Sequence, residues 1–360
     1  MLTPGLMWTD DGQVIELDVF LKRIYSGISW REQKAANKEV HSQKENVQGQ
    51  KGDFRGIAGP EVLTKNGRIR GKTLDKAHVF YGVPYAGQPT GAYRWKPPRA
   101  VSPWTGVYDA TYARAACMQA CAGLYSQECP KQLSEDCLYL NIFIPLDVNL
   151  SVPLWNPLPV LVWIHGGNFI AGHSSKPLYD GRFISNFTRT VVVSLDYRLG
   201  AFGFLVSGKD PLSSAVGNYG LMDQQAALLW VQRNIAVFGG DPGKVLFLCA
   251  KLLNPFRFLE VFETWGPCVD GELIKEQAVR AFRMGHWQKD KPVLLGTTSE
   301  EGVLFVYAVF NKPVSAVEST VYITAIFKQH TLRILHKYLP LFHDTDRRGM
   351  LAQVSHLVLQ

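Results

Sequence analysis

Four apolar runs in the middle of the chain have the length and composition of buried β-strands. They are rich in Val, Ile and Leu, and a stretch with helical spacing of apolar residues, 220–240, separates the last two. Strands of this kind joined by a helix are typical of a mixed or parallel sheet covered on both faces. We therefore predict an α/β fold with a central mixed sheet covered by helices. The four runs are LYLNIFIP (138–145), PVLVWIHGG (159–167), TVVVSLDYRL (190–199) and KVLFLCA (244–250).

The chain before this region has a different composition and lacks the same periodicity. Residues 31–55 are polar, nearly free of aromatic side chains and without a sustained period. We expect a polar N-terminal arm over residues 1–57 and one domain over residues 58–360. The domain opens with EVLTKNGRIRGKTL, which we interpret as a hairpin that turns at Asn66 and Gly67.

Composition narrows the classes of function. Hydrophobic residues make up 46% of the 360 residues, enough for a sizeable core, and the net charge of +7 is scattered along the chain. Because a nucleic-acid patch needs clustered basic residues, we predict no nucleic-acid partner. No run reaches the ~18 apolar residues of a membrane span, and the first thirty residues lack an apolar signal core, so we predict no transmembrane segment and see no signal peptide.

Four of the six cysteines lie within one short segment: Cys117, Cys121, Cys129 and Cys137. Such a cluster predicts disulfides in an oxidising compartment and a metal site or free thiols in a reducing one. The spacing does not form two C-x2-C pairs, so we favour disulfides over zinc. The outer one would join Cys117 to Cys137 and the inner one Cys121 to Cys129. With the glycosylation sequons at Asn149 and Asn186, this pattern favours a secreted or extracellular glycoprotein.

A resemblance to a known family begins at the last of these cysteines. EDCLYLNIFIP (135–145) resembles the signature of the type-B carboxylesterase and cholinesterase family, and four further blocks between residues 80 and 245 are similar to that family. The resemblance implies the α/β-hydrolase fold. It also implies hydrolysis of small carboxylic esters through an acyl-enzyme in complete relatives, without a cofactor or a metal. Two structural salt bridges of the family would join Arg94 to Glu135 and Arg198 to Asp223.

The same resemblance assigns parts of a catalytic site. In HGGN the backbone N–H groups of Gly166, Gly167 and Asn168 would form the oxyanion hole, which stabilises the charge that develops in the transition state. The family usually has a third glycine where Asn168 stands, and Asn tolerates the left-handed conformation better than most residues. Glu301, in SEEG after the strand-like KPVLLGTT, would be the acid of a catalytic triad.

The resemblance to the family ends at the position of the catalytic nucleophile. The family's elbow sequence G-x-S-x-G aligns with residues 249–253 and places Lys251 at the serine, between Cys249 and Leu253 at the two glycines. This elbow is a strained turn that needs glycine beside the nucleophile, so we interpret Cys249 as a structural thiol. No histidine after Glu301 lies in the H-G-x-E/D context of the family's general base.

Three functions remain for comparison. The favoured one is a catalytically inactive member of an ester-hydrolase family, with an internal deletion near residues 248–254 and a truncated C-terminus. The alternative is a non-catalytic extracellular binding or adhesion protein of the same fold. An active hydrolase with unusual residues ranks last, because an oxyanion loop alone contributes far less than a triad. The oligomeric state is left open.

Overall fold

The computed structural model of the chain describes residues 6–8, 14–16, 59–120, 129–208, 210, 214–249, 265–293, 303, 306, 307, 310–341 and 345–359. The chain divides into two compact units. One comprises Met1–Ile57 with Pro292–Thr298, and its described residues include a hairpin of β1 (Leu6–Trp8) and β2 (Val14–Glu16). The other comprises Ala58–Lys291 with Ser299–Gln360 and contains the features below.

A six-stranded mixed sheet forms the centre of the larger unit. Its strands are β5 (Lys72–Leu74), β6 (Ala77–Pro84), β10 (Tyr139–Pro145), β11 (Leu158–Ile164), β12 (Val191–Leu195) and β13 (Gly240–Cys249), in the order β13-β11-β12-β10-β6-β5. The strand β11 runs parallel to β12 and to β13, whereas β10 is antiparallel to β12 and to β6. The predicted mixed α/β architecture is confirmed.

The apolar runs become strands because both faces of the inner strands are covered. All five residues of β12 are buried, as are Leu140 to Pro145 of β10. The helix α1 (Arg182–Thr188) packs on β10. The short helix α2 (Gly200–Phe204) comes next in the chain, and α3 (Tyr219–Asn234) then contributes Ala227 and Val231 to the main core. The helix predicted from periodicity is therefore α3, which continues into a 3-10 turn at Ile235–Phe238.

The strand β13 corrects one prediction. We expected KVLFLCA to be a buried strand, and the strand forms, but it lies at the edge of the sheet and Leu246, Phe247 and Leu248 are 60%, 58% and 40% exposed. Within the described part of the chain, β11 is its one neighbouring strand. Since successive side chains of a strand point to opposite faces of the sheet, the exposure of these three residues means that neither face is covered at this end of β13.

Two small sheets accompany the large one. The first contains β3 (Glu61–Leu63), β4 (Arg68–Arg70) and β7 (Val107–Asp109), and the second β8 (Ala116–Cys117) and β9 (Leu133–Ser134). The predicted hairpin turns at Asn66 and Gly67 as expected, because β3 and β4 are antiparallel and Gly67 has φ +146°. It is shorter than expected, since Lys72–Leu74 joins the six-stranded sheet instead.

The described residues after 265 are mainly helical. The helices are α4 (Ala278–Met284), α5 (Ala316–Phe327), α6 (Thr331–Tyr338) and α7 (Arg348–Leu359). Ser315 and Glu318 form a capping box at the start of α5. Apolar residues of α5, α6 and α7, among them Ile323 and Met350, form a second core cluster. None of the described helices is long and apolar enough to cross a membrane.

Candidate active site

The loop after β11 contains the predicted oxyanion-hole residues and has an unusual backbone. Gly167 has φ +127°, and a Cβ there would lie 2.0 Å from the Ala171 carbonyl oxygen, so only glycine fits. Asn168 has φ +53°, the left-handed conformation that asparagine tolerates better than most residues. The N–H groups of Gly166, Gly167 and Asn168 have no hydrogen-bond partner among the described residues, which leaves three donors available at this turn.

A buried hydrogen-bond network supports this loop. Ser174 donates from its backbone N and from its Oγ to the two carboxylate oxygens of Asp196, each at 2.8 Å. Asn141 donates to Ser174 Oγ at 3.1 Å, and Gln119 binds both the N–H and the carbonyl of Gly172 at 2.8 Å. These contacts connect the loop to β10, to the end of β12 and to the cysteine-rich segment.

His165 and Asp196 are two buried titratable groups in this network. The ring of His165 stacks on Tyr197 with centroids 4.6 Å apart, and its Nε2 lies 3.7 Å from Asp196 Oδ1. Burial lowers the pKa of His165 to about 4 and raises the pKa of Asp196 to about 7, the latter against hydrogen bonds from Ser174. Near neutral pH the imidazole is therefore uncharged.

The sequence did not point to Asp196 or Ser174. The available signal was a carboxylate directly after five apolar or small residues in VVVSLD, where a buried charge needs a partner.

Both expected salt bridges are present. Arg94 donates to both oxygens of Glu135 at 2.5 Å, and Arg198 donates to both oxygens of Asp223 at 2.7 and 2.8 Å. The second pair is almost fully buried, with side-chain exposures of 3% and 0%. Burial raises the pKa of Asp223, and the charge and hydrogen bonds of Arg198 oppose that shift. This pair ties the end of β12 to α3 and has a structural role.

The predicted outer disulfide is confirmed. Cys117 and Cys137 are bonded, and both are buried in the main core. Cys129 is disulfide-bonded as well, but Cys121, its predicted partner, lies outside the described residues. Cys268 is a free thiol.

The end of β13 lies beside the loop that contains the predicted oxyanion-hole residues. The backbone of Cys249 pairs with Ile164, and the loop begins one residue later. A nucleophile two residues after Cys249 would thus follow the strand adjacent to the oxyanion donors. Lys251 and Leu253 lie outside the described residues, as does Glu301, so the predicted triad acid stays a prediction.

Comparison with known protein families shows the family of this chain. A model of the carboxylesterase family matches residues 58–250, more than half of the chain. The chain belongs to the carboxylesterase family. Its ancestry is therefore that of an ester hydrolase, and the chain has the α/β-hydrolase-like fold class expected from the resemblance. Among the described residues no group of three or more His, Cys, Asp or Glu side chains could hold a metal ion.

Three curated relatives are each matched over part of their length. The chain is 44% identical to a cholinesterase of Mus musculus and 41% identical to an acetylcholinesterase of Electrophorus electricus, in each case over 51% of this chain. It spans 31% and 30% of their respective lengths. A crystal protein of Dictyostelium discoideum is 32% identical over 343 residues, covering 74% of this chain and 60% of the relative.

Two solved structures of a PNB esterase are similar to this chain. They are 42% and 41% identical to this chain, with TM-scores of 0.47 and 0.49. Each comparison covers 53% of this chain and 38% of the esterase chain.

Proposed function

We propose that this chain is a catalytically inactive carboxylesterase relative that retains the oxyanion loop and its supporting framework but has no nucleophile. The observation that carries the proposal is the register of β13 with β11. Since Cys249 pairs with Ile164, the residue two positions later is Lys251, where the family has serine. A lysine amine there cannot take the part of the serine hydroxyl without its base and its tight turn.

The chemistry of the elbow strengthens the proposal. The turn after the strand requires glycine beside the nucleophile to avoid clashes of Cβ atoms, and residues 249–253 read Cys-Ala-Lys-Leu-Leu. The donors at Gly166, Gly167 and Asn168 remain, so a bound carbonyl would be polarised but not attacked. Binding of an ester without turnover is the expected behaviour.

A missing internal segment accounts for these departures together. In this proposal residues 1–57 are an arm and residues 58–360 are one esterase domain with a deletion near residues 248–254. The alignment with the Dictyostelium crystal protein runs over 343 residues but takes in 74% of this 360-residue chain, about 266 residues. Some tens of aligned positions therefore have no counterpart here. The exposure of Leu246, Phe247 and Leu248 agrees with the loss of a segment that would cover β13.

Esterase assays test the loss of activity. We expect the purified chain to hydrolyse p-nitrophenyl acetate no faster than buffer with bovine serum albumin, and to resist labelling by a fluorophosphonate, while an active carboxylesterase in the same assay does both. Labelling that persists in heat-denatured chain is nonspecific and leaves the proposal standing. Labelling of the folded chain only, abolished in Cys249→Ala or Lys251→Ala, would overturn it.

The origin of the deletion has its own test. We expect the gene to contain an in-frame segment encoding G-x-S-x-G between the codons of Phe247 and Pro255 that is absent from the transcript of this chain. Contiguous genomic sequence across these codons would refute the deletion and would leave the loss of activity to be tested by the assays above.

The binding or adhesion alternative requires a stable extracellular fold. Three consecutive exposed apolar residues on an edge strand disfavour it, because such strands promote association. A secreted, monomeric chain that unfolds cooperatively would favour that alternative over the inactive esterase product.

The proposal also includes passage through the secretory pathway. The disulfides at Cys117, Cys137 and Cys129 support an oxidising compartment, and both sequon asparagines, Asn149 and Asn186, are exposed. Treatment of the protein from its native source with peptide N-glycosidase should increase its gel mobility. Unchanged mobility, with free thiols at all six cysteines, would contradict this location.

A further inference from the structure

A cavity of about 320 Å³ lies on the side of the sheet that is remote from β13. Residues of β5, β6 and β10 line it, and the segment 174–180 together with Tyr112 closes it from the other side. Its size is within the range of small-ligand pockets, roughly 300 to 1,000 Å³. No part of the oxyanion loop lines it.

Aromatic side chains form the walls of this cavity. Tyr81 packs edge-on against Phe143 with ring centroids 5.8 Å apart, and Tyr179 packs against Trp163 with centroids 5.0 Å apart. Because each ring rests on a second ring, both walls are held in place before any ligand enters. Rigid aromatic walls favour a flat ligand, since stacking then costs little conformational entropy.

The polar groups at the cavity give it a positive character. Lys72 Nζ lies 5.0 Å from the centroid of Tyr81, and no carboxylate pairs with it among the described residues. Lys176 Nζ lies 5.7 Å from the centroid of Tyr179. The carboxylate of Asp180, which also lines the cavity, is bound by the Arg182 guanidinium at 2.7 to 3.0 Å, and the same guanidinium binds Asp75.

Hydrogen-bonding groups lie at the floor. Asn141 is 3% exposed and its amide nitrogen donates to the hydroxyls of Ser174 and Ser175, while its Oδ1 accepts from Gly82 N. Ser175 is exposed and lines the cavity, so its hydroxyl can donate to a ligand.

We propose that this cavity is a binding site for a small aromatic carboxylate, with the ring between Tyr81 and Tyr179 and the carboxylate near Lys72 and Ser175. The aromatic walls select the ring, and the ammonium group of Lys72 selects the negative charge. The cavity is distinct from the oxyanion loop, although Asn141 and Ser174 line the cavity and also belong to the hydrogen-bond network that supports that loop.

Benzoate, benzamide and acetate are the probes that test both parts of this site. Titration followed by ligand-observed NMR should show binding of benzoate, weaker binding of the neutral benzamide, and no binding of acetate. Lys72→Met keeps the aliphatic stem and should weaken benzoate about three- to fivefold without changing benzamide, as expected for a partly exposed charge pair. Tyr179→Leu should weaken both aromatic ligands about two- to tenfold.

A matched control is Lys244→Met, because Lys244 is exposed on β13 and its charge lies away from the cavity. It should leave all three affinities unchanged, and thermal melting of each variant verifies that the fold is retained. Equal binding of benzoate to the parent chain and to Lys72→Met would overturn the proposal. So would equal binding of benzoate and benzamide, or loss of benzoate binding in Lys244→Met to the same extent.

Discussion

The strands β12 and β13 lie on either side of β11, run parallel to it and have similar apolar sequences, but their environments are opposite. The residues of β12 are at most 4% exposed, whereas Leu246, Phe247 and Leu248 of β13 are 40% to 60% exposed. The strand β12 has β10 on its far side and α1 across its face, while β13 ends the sheet. An apolar run thus predicts that a strand forms, and its neighbours decide whether it is buried.

This difference explains where the stability of the described fold should be concentrated. The network around Asp196, the Arg198–Asp223 pair and the Cys117–Cys137 disulfide all lie on the side of β12 and β10. Substitutions there should lower the free energy of unfolding strongly, and substitutions on β13 should change it little. Four experiments test this contrast.

The largest effect is expected at the ion pair that follows β12. Arg198→Ala leaves the carboxylate of Asp223 buried without its partner, which typically costs about 3 to 5 kcal/mol of unfolding free energy. Urea unfolding followed by circular dichroism measures the loss. The double variant Arg198→Met, Asp223→Leu removes both charges and should recover most of the stability. A loss below 1 kcal/mol in Arg198→Ala would show that this end of β12 is less enclosed than its geometry indicates.

A matched pair of leucines tests the contrast directly. Leu195→Ala on β12 removes a fully buried side chain and should cost about 2 to 5 kcal/mol. Leu246→Ala on β13 removes a side chain that is 60% exposed and should change stability by less than about 0.5 kcal/mol. The same unfolding assay compares them. Similar costs at the two positions would mean that β13 is covered in solution.

The outer disulfide should contribute somewhat less. Cys117 and Cys137 are 20 residues apart, and closing a loop of that length stabilises by about 3 kcal/mol, mainly through the unfolded state. The variant Cys117→Ala, Cys137→Ala should lose this amount in urea unfolding. Cys268→Ala, which removes a free thiol, should lose less than about 1 kcal/mol and is the control. Equal losses in the two variants would show that the disulfide does not stabilise the fold by the expected amount.

The sequence was sufficient for features that depend on local pattern or on a family signature. The strand β10, the helix α3 and the turn at Gly67 all follow from residues close in the chain. The exposure of β13 did not follow, because it depends on which distant elements cover the two faces of the strand. The partnership of Ser174 with Asp196 was missed for the same reason, since the two residues are 22 positions apart.

The smallest net effect in the parent chain, and the most diagnostic of burial at the end of β12, is the pH dependence of stability. Burial raises the pKa of Asp196 from its ordinary 3.8 to about 7, so the stability it contributes is complete below pH 3.8 and is lost as pH rises to about 7. Burial lowers the pKa of His165 from 6.5 to about 4, so its contribution has the opposite sign between those values. In the parent chain the two slopes, each about 1.4 kcal/mol per pH unit, should largely cancel between pH 4 and 6.5.

Replacing one member of this pair exposes the slope of the other. In Asp196→Asn only His165 remains, so unfolding free energy should rise from pH 4 to pH 6.5 by about 1.4 kcal/mol per unit, measured by urea titrations at half-unit intervals. Ser194→Ala, a buried β12 residue that does not titrate, should shift the curve by a constant without adding a slope. If Asp196→Asn follows the parent curve, then water reaches the end of β12. In that case the contrast between β12 and β13 is confined to their apolar side chains.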